Sequence, residues 1–129
     1  MLTLEAFRTY PHAVQTLLCK RLRYERYERR RLIIRRGHVA TSLYFIFSGS
    51  IGITKAGESA ESVFTDAEPI TLGKGALFGD IALINNQRRN ASIVCMEHTE
   101  FLVCDREDFI ALNLFDYHDK EYQGRLQCV

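Results

Sequence analysis

The sequence predicts a mainly β fold, a sandwich or roll of short strands with helices at its ends. Three observations predict it. From Arg23 onward the apolar residues recur with a period near two, in short runs rich in Ile, Val, Phe and Tyr. Gly37, Gly49, Gly57 and Gly73 punctuate those runs. Clear helical spacing is confined to the stretches before Arg23 and after Asp105, apart from one short apolar piece in the middle.

Leu4 to about Leu22 reads as helical, with Ala13, Leu17, Leu18 and Leu22 on an apolar face, and Pro11 opens a second helical piece because proline suits a first turn. Strands are predicted at Arg31 to Arg35, Ser42 to Phe47 and Ser50 to Thr54. Ala56 to Glu61 is small and polar, an exposed hairpin loop. Phe78 to Ile84 interrupts the strands, which resume near Ala91 to Met96 and Glu100 to Cys104. A final helix begins at Asp105, with Asp105 as N-cap and Asp108 in the first turn, and carries Phe109, Ile110, Leu112 and Leu114. From Asp116 the chain is polar, and Gly124 weakens any further helix. The division is a domain at residues 1–115 and a polar tail at 116–129, a partial or absent lid.

At 129 residues with 47% apolar content, the chain has the size and composition of one globular domain. It contains no run of about 18 apolar residues and no secretory signal pattern, so no membrane is expected as a partner. Cys19, Cys95, Cys104 and Cys128 form no Cys-x-x-Cys pair; a metal site is not expected, and reduced thiols point to the cytoplasm. The net charge of +1 is unevenly spread: the first 36 residues hold ten Lys or Arg against three Glu. Such a basic edge either seeks phosphate-bearing partners or blunts strand edges with arginine, and the second reading is preferred. His12, His38, His98 and His118 are isolated, and no Ser or Cys lies in a nucleophile motif, so the chain does not read as an enzyme.

The chemistry concentrates in Phe78-Gly79-Asp80-Ile81-Ala82-Leu83-Ile84 and the following Arg88-Arg89-Asn90-Ala91-Ser92. Gly79 permits a close backbone approach, a short helix from Asp80 to Ile84 turns free N–H groups toward an anion, and Arg89 offers a planar fork to phosphate oxygens. Ala91 leaves room for a ligand. Together these residues describe a site for a phosphodiester-sized anion, without saying which anion.

These residues resemble the phosphate-binding cassette of the cyclic nucleotide-binding domain family, whose pattern is Phe-Gly-Glu, an apolar residue, Ala, two further apolar residues, a short gap and Arg-x-Ala. The upstream Ile33-Ile34-Arg35-Arg36-Gly37 and Leu43-Tyr44-Phe45-Ile46-Phe47-Ser48-Gly49 resemble the family's other signature, and both motifs stand in the expected order. Residues 95–109 are also similar to a vertebrate branch of the family linked with sperm development. The resemblance implies an antiparallel eight-stranded β-roll, or jelly roll, with flanking α-helices and a short phosphate-binding helix. It implies that Arg89 pairs with the cyclic phosphate, that backbone N–H groups near Ala82, Asn90 and Ala91 complete the cradle, and that Gly79 and Asp80 meet the ribose. The implied ligand is cAMP or cGMP, and no other cofactor is implied. Asn90 both donates and accepts hydrogen bonds, so it leaves the purine open, with a lean to cAMP. A protein effector outside this chain is the implied partner.

Asp80 stands where the family has Glu, which withdraws the carboxylate by roughly 1.5 Å. That change and the polar tail keep an alternative open, a degenerate fold that serves as a non-binding interaction module. Asp80 could also serve as an N-cap. His38 follows Gly37 where an acidic or amide residue is usual. Tyr44, Phe45 and Phe47 read as core rather than as a stacking platform. Arg23-Tyr24-Glu25-Arg26-Tyr27 carries too much acid for nucleic acid to be expected as a partner, and Asn90-Ala91-Ser92 reads as a chance glycosylation motif.

Overall fold

A computed structural model describes residues 5–55, 58–115 and 117–118. A 3-10 turn at Glu5–Thr9 leads into α1 (His12–Cys19), with Pro11 at the N-cap position. Eight strands follow: β1 (Arg23–Tyr27), β2 (Leu32–Ile34), β3 (Ser42–Ser48), β4 (Ser50–Ile53), β5 (Ile70–Gly73), β6 (Leu77–Phe78), β7 (Ile93–Cys95) and β8 (Thr99–Asp105). Three further helices interrupt or end the series: α2 (Ser62–Thr65), α3 (Asp80–Ile84) and α4 (Arg106–Ala111). The strands form two four-stranded antiparallel sheets, ordered β1-β8-β3-β6 and β2-β7-β4-β5. This is the expected eight-stranded β-roll.

The longest pairing, β3 with β8, runs from Ser42↔Asp105 to Ser48↔Glu100 and forms the centre of the first sheet. Both faces of β3 are covered, which explains its nearly unbroken apolar run. Leu43 and Phe45 point to a core shared with the helices, which includes Phe7, Tyr10, Leu18, Leu83, Phe109 and Leu114. Tyr44 and Ile46, one residue out of phase, point into the core between the sheets with Ile34, Ile51, Ile93, Phe101 and Val103. There Tyr44 stacks on Phe78 at a centroid distance of 5.1 Å, and Phe101 meets both rings edge-on at 5.7 and 5.8 Å. Phe45 is therefore core and Tyr44 largely so, as expected, whereas Phe47 is 39% exposed.

The arginines at sheet edges follow the preferred reading. β1 is an edge strand, and Arg23 on it donates to Glu25 and Asp105, each at 2.7 Å. β2 is the edge of the second sheet and is flanked by Arg31 and Arg35.

Several sequence expectations need correction. The face that α1 buries is Val14 and Leu18, continued by Leu22, whereas Ala13 and Leu17 are exposed. With eight residues the helix seats a single i, i+4 ridge, and its neighbours in sequence turn outward. The described part of the expected loop, residues 58–61, holds no helix or strand, and α2, which follows it with Val63 buried, is an element the sequence reading did not include. Asp105 does occupy the N-cap of α4, but its side chain makes no cap hydrogen bond and serves Arg23 instead. Beyond α4, Phe115, Tyr117 and His118 pack onto the helix-side core, with Phe115 edge-on to Phe109 at 4.7 Å. Asp116 and residues 119–129, most of the expected tail with Gly124, lie outside the described residues. Among the described residues no helix is long and apolar enough to cross a membrane.

Candidate functional site

The site is built where β6 turns into α3. Gly79 makes that turn at φ +86°, the left-handed region, and an added Cβ would stand 3.1 Å from an Arg89 Nη1 and 3.4 Å from the Ser42 carbonyl oxygen. Glycine is thus required twice, for its backbone conformation and for the close approach of the arginine. Gly79 also occupies the N-cap position of α3, so Asp80 is the first helical residue and forms no cap.

The Arg89 backbone is pinned to the turn after β2. Its N–H donates to the His38 carbonyl and its own carbonyl accepts from the Gly37 N–H, both at 2.8 Å. From this anchor the side chain runs inward and is only 6% exposed. Its Nη1 donates to the Gly79 carbonyl and its Nη2 to the Ser42 carbonyl, each at 2.5 Å. Burial pulls the guanidinium below its usual range, and the nearby Tyr44 and Asp80 oppose that shift. A guanidinium has five N–H donors, so two carbonyls leave donors for anionic oxygens. The adjacent Arg88 is exposed, bridges Val39, and donates to the Gly37 carbonyl at 2.9 Å.

Asp80 is 1% exposed, and its Oδ2 accepts from Nδ1 of His118 at 2.8 Å. On its other side, Nε2 of His118 meets the Tyr10 hydroxyl at 2.5 Å. His118 is 2% exposed and Tyr10 3%, so three polar side chains from widely separated parts of the chain share one buried location. Burial without partners would cost several kcal/mol, about 2–7 for a neutral group and more for a charge.

The structure brings Gly79, Asp80 and Arg89 together. Ala82 and Ala91 are buried at 6% and 5%, in the helix-side core and the inter-sheet core respectively. The Ala82 carbonyl accepts from the Gln87 N–H at 2.9 Å, which closes α3. Asn90 is exposed. Sequence reasoning missed Ser42, Tyr10 and His118. Ser42 acts through a carbonyl, which every residue has, so no signal existed. His118 lies four residues after Leu114, on the same face of a helical turn, which was the available hint.

A family comparison gives this geometry its context. The profile of the Cyclic nucleotide-binding domain matches residues 24–113. The chain belongs to the cyclic nucleotide-binding domain family. Within that family, the Cyclic AMP receptor protein of Thermus thermophilus is 32% identical over 80 residues, covering 62% of this chain and 35% of that protein. The cGMP-dependent protein kinase, isozyme 1, of Drosophila melanogaster is 32% identical over 93 residues, covering 70% of this chain and 12% of the kinase. The cyclic nucleotide-binding domain described here thus spans about a third or less of the curated relatives it matches. A regulatory subunit of a cAMP-independent protein kinase A from Trypanosoma brucei shares the fold, with a TM-score of 0.77 at 22% identity over 96% of this chain and 43% of that one.

Proposed function

We propose that this cyclic nucleotide-binding domain is a sensor that binds cAMP or cGMP and passes the signal to a protein effector. The observation that carries the reading is Arg89, a buried guanidinium aimed at the turn that starts α3. Its backbone is fixed on both sides, so little freedom remains to be lost when an anion binds. In this reading the cyclic phosphate takes the remaining Arg89 donors with backbone N–H groups near Ala82, Asn90 and Ala91, and the ribose meets Gly79 and Asp80. Relatives of equal identity carry cAMP in one name and cGMP in the other, so the lean to cAMP still rests on the sequence. Cys19, Cys95 and Cys104 are free thiols, which suits a reducing compartment such as the cytoplasm.

Calorimetric titration with cAMP and cGMP, with 5′-AMP as control, tests the reading. Saturable heat with a cyclic nucleotide is expected. No heat and no thermal shift at millimolar ligand overturns it.

One observation favours a second reading, a domain that no longer binds nucleotide and serves as an interaction module. Both polar groups of the cassette already have partners inside the protein, Arg89 the Gly79 and Ser42 carbonyls and Asp80 the His118 imidazole. The same titration separates the two readings.

A further inference from the structure

We infer that the exposed turn after β2, with Arg88 laid against it, is a docking surface for an acidic polypeptide segment of the effector. The inference rests on the effector half of the proposed function and not on nucleotide binding, because its side chains are other than those assigned to the ligand.

Basic side chains gather at this turn. Arg35, Arg36 and His38 are exposed on it, and the exposed Arg88 reaches across to donate to the Gly37 carbonyl at 2.9 Å. The two segments are fastened together: the Arg36 N–H donates to the Ser92 hydroxyl at 3.0 Å, beside the Gly37 and His38 contacts with the Arg89 backbone. Arg106 frames the far side, with its N–H on the Thr41 carbonyl at 2.8 Å and its guanidinium on the Asn86 side chain at 3.1 Å. Among the described residues no carboxylate forms an ion pair with Arg35, Arg36, His38 or Arg88. The acids of the adjoining elements are otherwise placed: Asp80 is buried, Asp105 is bonded to Arg23, and Glu107 is exposed beside Arg106. Protection of the β2 edge accounts for Arg35, which flanks that strand, and not for Arg36 or Arg88. Like charges on one turn repel one another and favour an anionic partner.

The surface also carries an apolar side chain, which selects a polypeptide among anions. Val39 pairs with Arg88 through an isolated bridge and is 60% exposed. A chain that sets an apolar residue among carboxylates fits both groups, since guanidinium forks take carboxylates at two points and the valine takes the apolar contact. A sugar–phosphate backbone offers Val39 no such partner. The net charge of +1 gives little long-range attraction to nucleic acid, so the contact is local. A partner seated here also rests on the frame of the cassette arginine, because the Gly37 N–H and the His38 carbonyl hold the Arg89 backbone on both sides.

The probe is a fluorescent peptide of Glu residues around a central Leu, followed by anisotropy against the full chain without nucleotide. Saturable binding that weakens with added salt is expected, and the same peptide with Gln for Glu should not bind. An exposed ion pair contributes up to about fivefold and reversal adds repulsion, so Arg36→Glu combined with Arg88→Glu should lose about tenfold or more. Arg8→Glu combined with Arg26→Glu makes the same change in net charge and should lose little. Arg26 pairs in register with Glu100, which stands opposite Ser48, at the other end of β3 from Ser42. Val39→Ser should weaken the Leu peptide by about threefold and leave a Ser-centred peptide unchanged.

Equal losses from the two double variants would reduce the attraction to net charge and overturn the inference, as would no binding of the Glu peptide. Tighter binding of single-stranded DNA or of phosphatidylserine vesicles, abolished by the same Arg36 and Arg88 substitutions, would overturn it too, since the surface would then take phosphate. Should the double reversal fail to fold by circular dichroism, Arg36→Glu alone decides: a loss of about threefold supports the surface and no change overturns it. A failed cyclic nucleotide titration leaves this inference standing, and failed peptide binding leaves the nucleotide proposal standing.

Discussion

Arg88 and Arg89 are neighbours with opposite surroundings, and this contrast sets the first prediction. Arg89→Ala should lose cyclic nucleotide affinity by about 2–5 kcal/mol, the cost of removing one partner of a buried charge contact. That corresponds to roughly 30-fold to several-thousand-fold in Kd. Arg88→Ala should change it little, because Arg88 faces solvent and binds Gly37. Calorimetry on both variants, with circular dichroism to verify folding, checks this; equal losses would indicate diffuse attraction. Gly79→Ala is the second prediction. It forces a side chain into the left-handed region, at about 1–2 kcal/mol, and crowds an Arg89 Nη1 at 3.1 Å. The variant should melt several degrees lower and bind ligand more weakly, and an unchanged melting temperature would refute the close approach. At this scale Gly79, Asp80 and Arg89 were legible because their chemistry is local in sequence. The partner of Asp80 was not legible: a lone histidine far along the chain carries no signal until the fold closes.

At the scale of elements, the fit of α2 against β4 is the sharpest constraint. A Cβ on Gly52 would lie 2.3 Å from Val63 Cγ1 and 2.8 Å from Met96 Sδ. Gly52→Ala should therefore destabilise by about 1–3 kcal/mol through overpacking. Adding Val63→Ala should recover part of that loss, and urea titrations of the two single variants and the double variant measure the coupling. Fully additive effects would show that α2 simply moves aside. β3, β4, α3 and β8 were legible because each is a short run whose apolar residues meet a covered face. α2 was not, since residues 58–69 are mostly small or polar and only Val63 and Phe64 mark a helix there. The face of α1 was misread because Ala13, Leu17 and Leu18 fit helical periodicity equally well, and only tertiary packing selects Val14 and Leu18.

For the whole molecule, the buried thiols give a pH signature. Burial pushes Cys95 up from 9.0 to about 11; burial, then the carboxylates of Asp108 and Asp105, push Cys104 to about 12. The unfolded chain releases these protons near pH 9, while the folded protein retains them. The unfolded state then binds fewer protons, so stability falls as pH rises above about 9, by up to about 1.4 kcal/mol per pH unit for each thiol. That decline ends near pH 11 for Cys95 and near pH 12 for Cys104. Urea midpoints under reducing conditions, taken from neutral pH upward, should show it, and Cys104→Ala should flatten the alkaline slope. Identical slopes would mean the thiols are not what titrates. The two-layer architecture was legible from spacing alone, but the division of the core into an inter-sheet half and a helix-side half was not, because β3 and β8 present apolar residues on both faces.

The Tyr10–His118 contact joins positions 108 residues apart at 2.5 Å, so an early segment and a late one meet at one place. Mechanically this makes the domain a loop with a clasp. A load applied between residues 10 and 118 enters through a few side chains and peels them apart in turn, rather than shearing a ladder of strand hydrogen bonds along its length. Pulling single molecules from those two positions should give a small early opening step, with both sheets giving way only afterwards.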